Sequence, residues 1–392
     1  MIKVTSALGA NKRIFISDIH MGDQRSTQGS PPHSHPYGWL QSNITSLAGF
    51  LTEKLNAQDV GRVVILGDLF DQWVIPTDLD PLPRLDDICN NPDNEHIINN
   101  LKALAESSKL SYVPGNHDMG ACPGDIRDMK KFIVDTFPGI DFICEDDQPT
   151  GVYSEGKLVA EHGNMYCLFN APDPWTDPHS FLPLGYFISR MVTYKVAQGG
   201  RRENYLDILC KFIPEYKSRH DFIHKLILAV AAYAKLKGTD KIDMKNINGF
   251  GPSITIDEVA DKYKQLIDDW NTHNKIDSTD AIRGDCLDLL WAACKVYLDP
   301  GTDTNTNIVI FGHTHAWKNG DPYLSPVENE QKSGPPFSPH PCKAIYANTG
   351  TWIDSKLCTY VETEANGESQ RHYVRVMSYP RNKVLRETYI TL

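Results

Sequence analysis

The sequence predicts an α/β fold in which a helix-covered sheet is interrupted by a helical insertion. Three observations carry this. Short apolar runs in the first third stop abruptly at polar residues, and helical patterns lie between them. The character then turns helical from about Met165 to Pro300 before strand-like runs return.

Taken in order, Arg13-Ile14-Phe15-Ile16-Ser17 runs into Asp18-Ile19-His20, and Val63-Val64-Ile65-Leu66 runs into Gly67-Asp68. Leu110-Ser111-Tyr112-Val113 runs into Pro114-Gly115-Asn116-His117-Asp118. Continuous apolar runs bounded by turn residues suit strands buried on both faces. Helical spacing lies around Leu40 to Asn56 and Glu95 to Ser108. Gly22 to Gly38 reads as a polar loop.

In the middle, Tyr205 to Phe212, Ser218 to Leu236, Ile256 to Asn271 and Thr279 to Leu298 show helix-like spacing. Thr255 or Asp257, and Thr279, are the expected caps. Strand-like runs resume at Asn307 to Phe311, Ala344 to Ala347, Lys356 to Val361 and His372 to Met377. The stretch Asp321 to Pro341, with six prolines, reads as a long loop. The expected division is a core of residues 1–165 and 301–392 around an insertion of residues 166–300.

Composition narrows the function classes. The 392 residues are 41% hydrophobic and 23% charged, as in soluble globular proteins. A net charge of -11 argues against a non-specific grip on nucleic acid backbone, without excluding a local basic patch. The longest apolar run, Phe222 to Leu236, is broken by His224, Lys225 and Lys235 and is too short to span a bilayer. Met1 to Ile16 lacks the apolar stretch of a secretory signal, so Asn43-Ile44-Thr45 is discounted as a glycosylation acceptor. Nine cysteines with no Cys-x-x-Cys pair argue against a disulfide framework and a thiolate zinc site. A cytoplasmic location is expected. Oligomeric state stays open.

The chemistry lies in five small motifs at the expected strand ends: Asp18-x-His20, Gly67-Asp68, Gly115-Asn116-His117-Asp118, His162-Gly163-Asn164 and Gly312-His313-Thr314-His315. Singly each is weak. Together they place convergent ligand-type residues after successive apolar runs, as a metal site requires. Carboxylate, amide and imidazole donors without thiolate favour divalent Mn, Fe, Zn or Ni over a pure Mg or Ca site.

These residues resemble the calcineurin-like metallophosphoesterase superfamily, whose pattern is D-x-H, G-D, G-N-H-D/E, H and G-H-x-H. All five blocks occur in order from Asp18 to His315, with the helical insertion between the fourth and fifth, as in bacterial-type members with a large insert. The resemblance implies a four-layer αββα sandwich and two divalent ions. One ion would be held by Asp18, His20 and His315, the other by Asn116, His162 and His313, with Asp68 bridging. His117 would be the catalytic, non-ligand histidine, oriented by Asp118. The implied substrate is a phosphorylated small molecule or a phosphoprotein.

The physical logic is independent of the family. Two metals about 3.5–4 Å apart can clamp the attacking and leaving oxygens of an in-line displacement and generate hydroxide near neutral pH. A nearby imidazole can protonate the leaving oxygen or donate to a phosphate oxygen. No phosphate loop, His-Glu-x-x-His or Gly-x-Ser-x-Gly motif competes.

Within the superfamily, Gly67-Asp68-Leu69-Phe70-Asp71-Gln72-Trp73 is similar to blocks in nucleases and in bacterial enzymes that cleave the pyrophosphate of UDP-2,3-diacylglucosamine. At His117 this chain departs from the latter, which carry arginine there. His117 instead fits a phosphomonoesterase or protein phosphatase. A scaffold that binds metal without catalysis is the non-enzyme alternative, and such members lose ligands that are all present here.

The remaining features are weaker. Arg190, Arg201 and Arg202 could pair with phosphate from a cap, but are expected to be ordinary solvated arginines. His33 and His35 are expected in solvent, and Trp73 and Trp352 as packing residues. The block Ala347-Asn348-Thr349-Gly350-Thr351-Trp352 resembles a strand-turn segment that supports the site in bacterial members.

Overall fold

In the computed structural model the described residues are 11–29, 31–118, 126–144, 150–199, 221–286, 289–298, 305–315, 317–318, 321–322, 324–327, 343–353, 357–367 and 369–391. Two sheets form the centre. The larger runs, from edge to edge, Lys383–Thr391, Arg371–Tyr379, Cys358–Asn366, Lys12–Ile16, Val60–Leu66, Leu110–Val113 and Asp141–Phe142. Lys12–Ile16 is parallel to Val60–Leu66 and antiparallel to Cys358–Asn366. The smaller sheet runs Leu324–Val327, Ala344–Asn348, Ile308–Phe311, Leu158–Glu161 and Tyr153–Glu155. Its three inner strands are parallel.

Alternation along the strands sorts side chains into three cores, which define four layers. Ile14, Ile16, Val63 and Ile65 face helices Ile44–Asn56 and Glu95–Glu106 through Leu47, Phe50, Ile97 and Leu101. Phe15, Val64 and Leu66 point the other way, against Ile308, Ile310, Ile345 and Ala347 of the second sheet. Val309, Phe311 and Tyr346, on that sheet's far face, belong to one core with Met191, Leu226, Tyr263 and Trp270, and Phe311 stacks on Tyr166. The middle of the chain therefore supplies the fourth layer. Its helices share one continuous core with the second sheet.

The expected strands and the two N-terminal helices are all present. Several other expectations need correction. The helix expected over Ile256 to Asn271 is two, Ile256–Lys262 and Leu266–His273, parted where Tyr263 turns its hydroxyl onto the Leu182 carbonyl at 2.5 Å. Thr255 caps the first with a reciprocal bond to Glu258. Thr279 is not a cap. Asp277 fills that role for Ser278–Cys286, its Oδ1 accepting from Thr279 N and Asp280 N. Further on, Thr279 to Leu298 breaks into separate turns at Leu290–Ala293 and Cys294–Leu298.

The proline-rich loop carries the strand Leu324–Val327, which lies at the edge of its sheet among the described residues, a position that tolerates Pro326. The Gly22 to Gly38 loop holds a short helix, Gln24–Gln28, capped by Asp23. Tyr205 to Phe212, Arg201 and Arg202 lie outside the described residues. Among the described residues no helix is long and apolar enough to cross a membrane.

Arg190 is fully buried, not solvated. From helix Leu184–Ala197 it donates to the carbonyls of Pro76 (2.9 Å), Thr77 (3.2 Å) and Asp243, and to the Tyr186 hydroxyl (3.1 Å). It clamps the chain that follows the Asp68 motif to helix Leu184–Ala197 and to the segment at Asp243. Hydrogen bonds to a buried charge contribute about 1.5–3 kcal/mol each. Arg190→Met should therefore destabilise the protein by about 3 kcal/mol or more. A lowered unfolding midpoint in urea would record it, and an unchanged midpoint would contradict the clamp.

Candidate metal centre

Five parallel strands, three of the larger sheet and two of the smaller, run at their carboxyl ends into ligand-type residues. Asp18 and His20 follow Lys12–Ile16, Asp68 follows Val60–Leu66, and Asn116 follows Leu110–Val113. His162 follows Leu158–Glu161, and His313 and His315 follow Ile308–Phe311. Carboxyl ends of parallel strands are the usual ligand position in such sheets.

The donor atoms form two groups. In one, Asp18 Oδ1 lies 3.0 Å from His315 Nε2, and His20 Nε2 lies 3.3 Å from the same nitrogen. In the other, His162 Nε2 lies 3.0 Å from Asn116 Oδ1 and 3.2 Å from His313 Nδ1. Asp68 Oδ2 joins both, 3.6 Å from His20 Nε2 and 3.2 Å from His162 Nε2. Donors held about 2.0–2.2 Å from a shared ion stand roughly 2.8–3.6 Å apart at octahedral to tetrahedral angles. The spacing fits. Two facing imidazole nitrogens share one proton at most between them, whereas an ion satisfies both.

The backbone is bent to make this arrangement. Asp18, His20, Asp68, His313 and His315 all have φ between 50° and 66°, in the left-handed region. Each such residue costs about 1–2 kcal/mol and persists only where the surroundings over-determine it. Asp68 shows how: its carbonyl accepts from Ile19 N (2.9 Å) and His20 N (2.8 Å), while its own N donates to Asp118. Gly67 and Gly115 let the two loops touch. A Cβ on Gly67 would lie 2.6 Å from Gly115 Cα and 2.5 Å from His162 Nδ1. These glycines serve close approach and not turn formation alone.

The segment after Ala344–Asn348 braces the site. Trp352 N and Thr351 Oγ1 donate to the Asp18 carbonyl at 3.1 and 3.2 Å, and Asn348 Nδ2 donates to the Gly312 carbonyl at 2.8 Å.

With that geometry, the family comparison becomes decisive: the model for calcineurin-like phosphoesterases matches residues 12–317. The chain belongs to that family. No curated protein matches it. A calcineurin-like phosphoesterase is a metal-dependent phosphoester hydrolase, and the donor groups of this chain are ones that could hold the metal.

The carboxylate beside His117 is not the one expected from the sequence. Asp118 does not orient His117. Its carboxylate accepts from the backbone N of Asp68 (2.6 Å), Phe70 (2.8 Å) and Gly115 (2.8 Å), tying two ligand loops together. The carboxylate on His117 is Asp71, whose Oδ1 is 3.0 Å from His117 Nδ1. Asp71 Oδ2 lies 3.2 Å from His20 Nδ1, and Oδ1 also accepts from Trp73 N and Val74 N. The signal was available, since Asp71 sits in the quoted Gly67 to Trp73 block.

Trp73 stacks on His117 with ring centroids 4.7 Å apart, and Trp39 lies across it at 5.5 Å. Trp73 is thus both packing and a wall for the imidazole, and Trp39 was not anticipated. Trp352 packs in the core beside Phe50. His33 is buried and 2.7 Å from Asp78 Oδ1, and His35 is exposed.

Burial alone would raise the Asp71 carboxyl, but His117 and His20 outweigh it and hold it below the usual range. Burial would lower His117, and Asp71 and Asp68 together raise it instead. His162 is pushed up to about 9, with Asp68 overcoming desolvation. Desolvation lowers His20 and His313, which favours the neutral, lone-pair form a metal needs. Burial, with the Asp68 charge, pushes the Asp118 carboxyl up to about 7 against its backbone bonds.

Proposed function

We propose that this protein hydrolyses a phosphate ester or pyrophosphate at a dinuclear centre, with Asp18, His20 and His315 on one ion, Asn116, His162 and His313 on the other, and Asp68 between. One observation carries the reading: a single oxygen, Asp68 Oδ2, stands at coordination spacing from both groups. Manganese, iron, zinc or nickel suits this donor set. When bound, two such ions polarise the phosphoryl oxygens and lower the pKa of water.

The chain's own groups do the rest. Asp71 takes the Nδ1 side of His117, so proton transfer to the leaving oxygen falls to Nε2. Trp73 and Trp39 keep the imidazole in place and limit water around it. The helical layer of residues 166–300 sets which substrate reaches this face, and the cysteine content suits a cytoplasmic setting.

The test is removal and return of metal. Chelated protein should lose hydrolysis of p-nitrophenyl phosphate and bis-p-nitrophenyl phosphate, and Mn²⁺ should restore it with two ions bound per chain. A reconstituted protein inert toward monoesters, diesters, nucleotides and pyrophosphates alike would leave a metal-binding scaffold as the answer.

A further inference from the structure

The Asn116 amide is held from the far side by two residues of the helical insertion. Asn116 Nδ2 donates to Asn170 Oδ1 at 3.4 Å, and Asn170 Nδ2 donates to Asp285 Oδ1 at 2.7 Å. Asp285, on helix Ser278–Cys286, also accepts from Phe169 N at 3.2 Å. All three side chains are buried. Asp285 further lies within 4.8 Å of a ring nitrogen of His313, whose Nε2 is buried and makes no hydrogen bond.

The direction of each bond follows from the donor inventory. An ionised carboxylate only accepts, so Asp285 must meet the NH2 end of Asn170. Asn170 then presents its oxygen to Asn116, and of the Asn116 amide only the NH2 end can donate to it. Asn116 is left with Oδ1 facing His162 Nε2, 3.0 Å away, on the ion side. An amide turned the other way would aim hydrogens at a cation.

We propose that Asp285 is a positioning residue: acting through Asn170, it fixes the Asn116 amide with its oxygen toward the ion held by His162 and His313. The helical insertion is then part of the metal centre as well as its cover. This rests on the dinuclear reading above.

The test is calorimetric titration of the metal-free, full-length protein with Mn²⁺. The native chain should bind two ions. Asp285→Asn removes the obligatory acceptor and lets both amides turn over. One of the two affinities should fall about 10–100-fold, as for other outer-sphere partners of ligands, while the second holds. Asn170→Ala should do the same and keeps the Phe169 N bond to Asp285, so it serves if Asp285→Asn does not fold.

The double variant D285N/N170D reverses the polarity. An aspartate at 170 accepts from both amides and restores the direction of Asn116, so the lost affinity should return. A merely structural role predicts no such recovery. Two native affinities in Asp285→Asn, or a double variant as weak as the single, would overturn the relay. A native chain that binds no ion would instead remove the dinuclear reading beneath it.

Discussion

Asp118→Ala is expected to lose both ions and to melt well below the native protein. The substitution strips the acceptor from the backbone N–H groups of Asp68, Phe70 and Gly115 in a buried setting. Each orphaned donor costs about 1–3 kcal/mol. The Asp68 turn, already in the left-handed region, then has less to hold it there. Since Asp68 Oδ2 serves both donor groups, relaxation of that one turn withdraws a ligand from each.

Metal content after dialysis and the thermal midpoint read the two consequences separately. Asp118→Asn keeps one carbonyl acceptor and should fall between. If Asp118→Ala retained both ions and lost only turnover, Asp118 would be acting on His117, as the sequence suggests, and the loop-tying role would be wrong.

The contrast between Asp118 and Asp71 shows where sequence reading stops. The five motifs are legible because each ligand directly follows a short apolar run, and the run predicts a strand whose end points one way. Which of two nearby carboxylates meets His117 depends on side-chain direction in a turn. The Asp118 carboxylate turns to the backbone N of Asp68, and Asp71, from the neighbouring loop, meets the His117 ring. Asp285 and Asn170 were less accessible still. They reach Asn116 from 169 and 54 residues further along the chain, a packing that no local pattern encodes.

The fold divides in the same way. The inner strands of the first sheet, such as Lys12–Ile16 and Val60–Leu66, alternate between two cores and read clearly. Helix Leu184–Ala197 escaped notice because nearly all of it is buried, so it shows no polar face from which a 3.6-residue period could be read. The last strand, Lys383–Thr391, is mostly exposed along its first half and lacks the apolar run that marked the others. That the middle of the chain completes the sandwich is visible only when Val309, Phe311 and Tyr346 are found in one core with its helices.

His117→Ala should leave both ions in place and lower turnover in a way that depends on the leaving group. General acid catalysis contributes about 10²–10⁴-fold, and it matters most when the departing oxygen is strongly basic. An alkyl phosphate ester should therefore lose most of that factor, whereas a p-nitrophenyl ester, whose phenolate leaves unaided, should lose little. Asp71→Asn should move in the same direction by a smaller factor at saturating metal, because the amide oxygen can still accept from Nδ1 but no longer raises the imidazole's affinity for its proton. Equal losses on both esters would instead make His117 a donor to the phosphoryl oxygens, since charge there grows whatever group departs. Full turnover on the alkyl ester would remove His117 from the chemistry altogether.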